Sequence, residues 1–64
     1  MSMSRKNYVA IAEAINVNIK MARAFTNGAF AVSRLTDAAN EMATHFEIEN
    51  DNFDRSRFID ACTK

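Results

Sequence analysis

Apolar residues recur at steps of three and four along two long stretches of the chain. Tyr8, Ile11, Ala12, Ile15, Ile19, Ala22 and Phe25 fall on one face of a helix. Phe30, Val32, Leu35, Ala39, Met42 and Phe46 make a second stripe, with Ala38 and Ala43 beside it. Phe53, Phe58, Ile59 and Cys62 make a third, shorter one. The pattern predicts one small helical domain over residues 1–64. Helix 1 is expected at about 5–26, helix 2 at about 30–48 and helix 3 at about 55–62.

Local grammar supports these limits. Ser4 is positioned to cap helix 1, its hydroxyl accepting from the Asn7 amide, with Met3 and Tyr8 as a hydrophobic staple. Asp54 is positioned to cap helix 3, with Phe53 and Phe58 as the equivalent staple. Asn27-Gly28 is expected to stop helix 1 by supplying a left-handed residue. Thr36 offers a second start for helix 2, and one continuous helix through Gly28 is a further alternative. Asn50-Asp51-Asn52 reads as the second turn.

These elements predict an all-α fold: an antiparallel helical hairpin with a short C-terminal third helix against its open end. A 64-residue chain has a marginal core. Such domains need disulfides, metals, unusually good packing or oligomerisation. Cys62 is the only cysteine, so no internal disulfide forms. One Cys and one His cannot fill a tetrahedral zinc site. Packing and self-association remain, and a homodimer or higher oligomer is expected over a lone monomer, a second copy closing the core as in a four-helix bundle. The absence of proline and the single glycine argue against an all-β domain.

Charge narrows the function classes. The formal net charge is zero, unlike the basic excess of proteins that coat nucleic acid. No apolar run is long enough to span a bilayer, and no signal-peptide pattern is present, so no membrane partner is expected. A single reduced thiol fits a cytoplasmic protein. Met1-Ser2-Met3-Ser4 offers two initiation positions, so Met1 and Ser2 carry no weight here.

The charges are segregated along the chain. Arg5, Lys6, Lys20, Arg23 and Arg34 lie within residues 1–34 against Glu13 alone. Residues 35–54 contain acids and no base. The hairpin should gather Glu47, Glu49 and Asp51 with Arg5, Lys6, Arg55 and Arg57. Several of these oppose their own helix dipoles, so mutual pairing is their expected compensation. At the other end it should gather Lys20, Arg23 and Arg34 as a patch for an anionic partner. Three cations neutralise only a few phosphates, so any nucleic-acid binding would be weak and salt-sensitive.

Chemistry-bearing constellations are sparse. Cys62 and His45, with Glu41 four residues before the histidine, are the elements of a thiol nucleophile and its base. Cys62 reads better as a small buried apolar residue. The acidic stretch from Glu47 to Asp54 lacks the glycine and late glutamate of an EF-hand. Helix 3 is too short and carries too few Arg, Asn or Gln residues for a recognition helix. No catalytic, cofactor-binding or metal residue is assigned, and no cofactor is expected.

Both ends of the chain carry a recognisable pattern. Tyr8-Val-Ala-Ile11-Ala12 lies at one end and Phe53-Asp54-Arg55-Ser56-Arg57-Phe58-Ile59-Asp60-Ala61-Cys62 at the other. The chain resembles a group of small uncharacterised proteins of tailed bacteriophages and prophages. That group pairs an early Tyr-x-x-Ile-Ala with a closing Phe-Asp-Arg-x-Arg-Phe-x-x-Ala-Cys. Its middle varies, Ser56 stands where an acid is common, and Asn50 to Asn52 replace an Asn-Pro-x lead-in. The resemblance implies a phage origin and expression in a host bacterial cytoplasm. It implies no activity.

The expected function is therefore that of a non-enzymatic phage accessory protein acting by protein–protein interaction. Its partner would be a second copy or a host or phage protein. Phe30, Leu35, Met42 and Phe46 are the candidate apolar contact, and Lys20, Arg23 and Arg34 the polar one. The alternative is a small nucleic-acid-associated protein of phage replication or transcription.

Overall fold

The computed structural model describes residues 4–25 and 27–64. Three helices follow one another: α1 (Arg5–Ala22), α2 (Gly28–Glu49) and α3 (Arg55–Thr63). They pack against one another in a body 39 × 18 × 18 Å. The all-α fold expected from periodicity is the fold found.

Helix α1 begins at Ser4 through a variant of the expected cap. The Asn7 side chain reaches back, its Oδ1 accepting from the Ser4 N–H at 3.1 Å and the Ser4 hydroxyl at 2.9 Å. The Asn7 amide itself donates to the Ser4 carbonyl at 3.0 Å. The expected staple falls on Met3, outside the described residues.

The first turn differs from expectation. Helix α1 ends at Ala22, not near residue 26, and α2 begins at Gly28, before residue 30. No left-handed residue stops α1 among the described residues. Instead the chain tightens through i→i+3 bonds: Ala24 N–H to Met21, Phe25 N–H to Ala22, then Gly28 N–H to Phe25. Gly28 serves by lacking a side chain. A Cβ there would overlap the Ala22 carbonyl oxygen and approach the Arg23 Cα to 3.2 Å. Glycine thus lets the start of α2 sit directly on the end of α1. The alternative start at Thr36 is not used. Thr36 lies within α2, its hydroxyl donating to the Val32 carbonyl at 2.8 Å.

The second turn is built around Asn50. Its N–H closes α2 on the Phe46 carbonyl at 2.9 Å, and its side-chain oxygen accepts from the Asn52 N–H at 2.9 Å. Its amide donates to the Tyr8 hydroxyl at 3.4 Å, joining the end of α2 to the start of α1. The end of α2 thus lies beside the start of α1, as in an antiparallel hairpin. Asp54 then caps α3 as expected, accepting from the Arg57 N–H at 3.0 Å.

The core is small and alanine-rich: Ala12, Ile15, Ile19, Ala39, Ala43, Phe58 and Cys62. At one end Tyr8, Phe46, Phe53 and Phe58 form a continuous aromatic cluster, with centroids 4.8–5.6 Å apart for the touching pairs. Phe53 and Phe58 meet at 5.5 Å, which is the staple read from sequence. Helix α3 closes this core against both long helices. The hairpin therefore gains its third wall from its own chain.

Helix α3 is only nine residues long against twenty-two for α2. At about 1.5 Å per residue it covers less than half the length of the hairpin. Its start lies beside the start of α1, and its end reaches Asn16. The half of the hairpin nearer the first turn is left uncovered by α3. This corrects two core assignments. Phe25 lies outside α1 and is 69% exposed, and Phe30, in the first turn of α2, is 72% exposed.

Candidate functional site

The residues expected to form one apolar contact separate in space. Phe46 belongs to the aromatic cluster, touching Tyr8, Phe53 and Phe58. Leu35 and Met42 are partly buried and pack on the core. Phe30 alone of the four stands in solvent. The expected stripe holds all four, but Phe30 lies about 160° round α2 from Phe46, and the other three are covered from within the chain.

The other large apolar side chains that face solvent join Phe30 from outside the expected contact. They are Val9, Val17, Met21, Phe25 and Ile48. Val17 and Met21 lie one turn apart on α1, and Phe25 and Phe30 flank the first turn. These four lie toward the first-turn end of the molecule. Val17 and Met21 carry no core duty, because the core face of α1 is Ala12, Ile15, Ile19 and Ala22. Repeating apolar pairs on both sides of one helix were the signal for a second surface in the sequence.

The polar candidates lie toward the same end. Lys20, Arg23 and Arg34 are all exposed. Arg34 has a partner after all: Asp37, one turn on, at 3.3 Å. Both side chains are well solvated, so this pair contributes little to stability. Arg23 and Phe25 line one shallow concavity with Val32. Cation and apolar surface thus adjoin there.

At the opposite end, the expected electrostatic cluster reduces to one ion pair among the described residues, Arg55 with Glu47. Arg55 does more than pair. It donates to the Asn40 carbonyl at 3.0 Å and to the Thr44 hydroxyl at 3.1 Å. Asn40, Thr44 and Glu47 follow one edge of α2 at steps of four and three, so one guanidinium spans two turns of that helix. Arg5 and Arg57 instead rim a cleft of about 380 Å³ between the starts of α1 and α3, floored by Tyr8, Ala12 and Phe58. The Asp54 carboxylate at its edge is engaged in capping α3.

Neither Cys62 nor His45 enters that cleft. Cys62 is fully buried, and burial pushes its thiol above the ordinary value of 9.0. A thiol held protonated is the reverse of an activated nucleophile. His45 and Glu41 are on the exposed face of α2. Among the described residues no three His, Cys, Asp or Glu side chains converge as metal ligands, and no helix is long and apolar enough to cross a membrane.

Sequence reasoning missed Asn16. It is the one buried polar residue among the described residues, and its amide donates to the carbonyls of Cys62 and Lys64 at 3.1 and 3.0 Å. Its position between Ile15 and Ile19 on the buried face was the available signal.

Comparison with protein-family models, with curated proteins and with solved structures finds no match to this chain.

Proposed function

We propose that this chain is a non-enzymatic accessory protein that acts by protein–protein contact, through the apolar side chains exposed on α1 and around the first turn. The observation that carries this reading is their placement. Val17, Met21, Phe25 and Phe30 are each more than half exposed, the first two on the side of α1 away from the core and the others flanking the first turn. Burying such side chains is worth roughly 25 cal/mol per Å², and the fold leaves that contribution to be made by a partner. Lys20 and Arg23 beside them supply polar selectivity. A tailed-phage or prophage origin, with action in the host cytoplasm, is part of the same proposal and rests on the terminal sequence patterns alone.

The test replaces Val17 and Met21 by Glu together. The variant is expected to keep wild-type helicity and melting temperature while losing association with itself or with a captured partner. Loss of helicity would show that these side chains serve the fold, and would overturn the reading.

A further inference from the structure

Helix α1 carries apolar residues on two opposite faces. One is the core face, Ala12, Ile15, Ile19 and Ala22. The other is Ala10, Ala14, Val17 and Met21, at steps of four, three and four, all exposed. At about 100° per residue the two sets lie on opposite sides of the helix axis. Steps of four and three are the spacing of a coiled-coil seam. The outer face of α2 is different. Its exposed side chains between Phe30 and Ile48 include Arg34, Asp37, Glu41 and His45, so no apolar seam runs along it.

We propose that the outer face of α1 is the seat of a second copy of this chain, with the two α1 helices antiparallel about a two-fold axis between Ile15 and Asn16. This rests on the reading of the exposed apolar side chains as an interaction surface. Two independent features select a second copy in that arrangement. The first is volume. Ala10 and Met21 are equidistant from the axis, and so are Ala14 and Val17. Each layer of the seam therefore sets a small residue of one protomer against a larger one of its partner, so the helices interdigitate without steric conflict.

The second feature is charge. Glu13 and Lys20 lie seven residues apart on one edge of the stripe, both exposed, and neither is in an ion pair among the described residues. Their midpoint falls within one residue of the same axis. Antiparallel docking brings Glu13 opposite the partner's Lys20, and Lys20 opposite the partner's Glu13. A parallel pair would set Glu13 against Asn18 and make no such match. Lys6, the next residue on that edge, falls beyond the overlap and opposes no cation. The seam is about 17 Å long at 1.5 Å per residue. An interface that short is weak, so the dimer is expected to form only towards about millimolar concentration.

Charge reversal tests this with the full chain, followed by sedimentation equilibrium from about 10 µM to about 1 mM. Wild type is expected to rise from the monomer mass towards the dimer mass across the series, with about half of the chains paired near 1 mM. Glu13→Lys and Lys20→Glu are each expected to weaken dimerisation on the order of tenfold, since each turns two attractions into two repulsions. An equimolar mixture of the two variants is expected to dimerise like wild type, because every edge contact is again of opposite sign. The double variant is expected to recover dimerisation as well. A wild-type monomer throughout, or single variants that dimerise unchanged, or a mixture that stays monomeric, would each overturn the proposal. Circular dichroism of every variant separates loss of pairing from loss of fold. Failure here, with Val17 and Met21 still replaceable without loss of helicity, removes the second copy as occupant and leaves the interaction surface standing.

Discussion

The Asn16 side chain donates to the Cys62 carbonyl at 3.1 Å across 46 residues of sequence. A second bond from the same amide reaches the Lys64 carbonyl at 3.0 Å. The last turn of a helix leaves carbonyls without intrahelical partners. Here the middle of α1 satisfies one in the last turn, on Cys62, and that of the cap residue Lys64. Asn16→Ala is expected to destabilise the fold by about 1–2 kcal/mol. For a domain of this size, each kcal/mol lowers the melting temperature by roughly 4–8 °C. Asn16→Asp should cost more at neutral pH, because a carboxylate cannot donate and faces the negative end of α3. Thermal melts of both variants at neutral and acidic pH check this.

Arg55 performs the matching task at the other end of α3. Its bond to the Asn40 carbonyl is partly shielded, whereas its pair with Glu47 is substantially solvated. The two contributions separate by mutation. Glu47→Gln is expected to cost less than about 0.5 kcal/mol, as exposed ion pairs do. Arg55→Ala should cost about 1–2 kcal/mol, and Arg55→Lys should recover only a minor part, because an ammonium cannot span Asn40, Thr44 and Glu47 at once. Urea titrations of the three variants give the order. A Glu47→Gln loss equal to that of Arg55→Ala would show that the ion pair dominates.

What the sequence made legible is the local part of this design. Asp54 as cap and Phe53 with Phe58 as staple depend on residues within five of one another, and both appear where the pattern put them. Helical periodicity likewise gave three helices. Periodicity could not show how far along the hairpin α3 would reach. Phe25 falls beyond the end of α1, and Phe30 lies about 160° round α2 from Phe46, so neither follows the buried face of its helix and both are exposed. Asn16 and Arg55 were opaque for a related reason. Their partners are supplied by other helices, and residue type alone does not name a partner. The charge cluster expected from the helix ends assumed that nearness of termini brings pairing. Only Arg55 is held in place by enough other bonds to pair there.

Burial of Cys62 sets a pH dependence. The raised thiol means that the folded state resists ionisation more than the unfolded state does. The unfolded chain therefore loses its proton first as pH rises. Stability from this group is fully present below the ordinary value of 9.0 and declines as pH climbs from there through the raised value. Cys62→Ala should remove that alkaline decline, at the cost of a small cavity near neutral pH. Denaturant midpoints from pH 7 to 10, wild type against variant, provide the comparison. A decline of equal slope in both would assign it to other groups.

Phe30 and Phe46 share the expected apolar stripe, but they lie about 160° apart round α2 and on opposite sides of it. Phe46 contacts Tyr8, Phe53 and Phe58, so Phe46→Leu should lose ring contacts worth about 1–2 kcal/mol. Phe30 is 72% exposed, and Phe30→Ser should change stability by less than about 0.5 kcal/mol. Melting temperatures of the pair are sufficient. Equal losses at both positions would mean that the first-turn end of α2 is packed in solution.

Gly28 yields a prediction whose sign separates two views of the first turn. Gly28 has no positive φ and is the first residue of α2. For a glycine in ordinary helical backbone, replacement by alanine stabilises by about 0.4–1 kcal/mol through the unfolded chain. The packing of α2 on the end of α1 predicts the opposite. An alanine Cβ would overlap the Ala22 carbonyl oxygen, which is backbone and cannot swing aside as a flexible side chain would. The two helix ends would have to separate, and overpacking of this kind costs about 1–3 kcal/mol. Gly28→Ala is therefore expected to lower stability, and Gly28→Ser to lower it similarly, with helicity retained at low temperature. The Gly28→Ala melt decides the matter. A rise in melting temperature would mean that the close approach of the two helices at this turn is absent in solution.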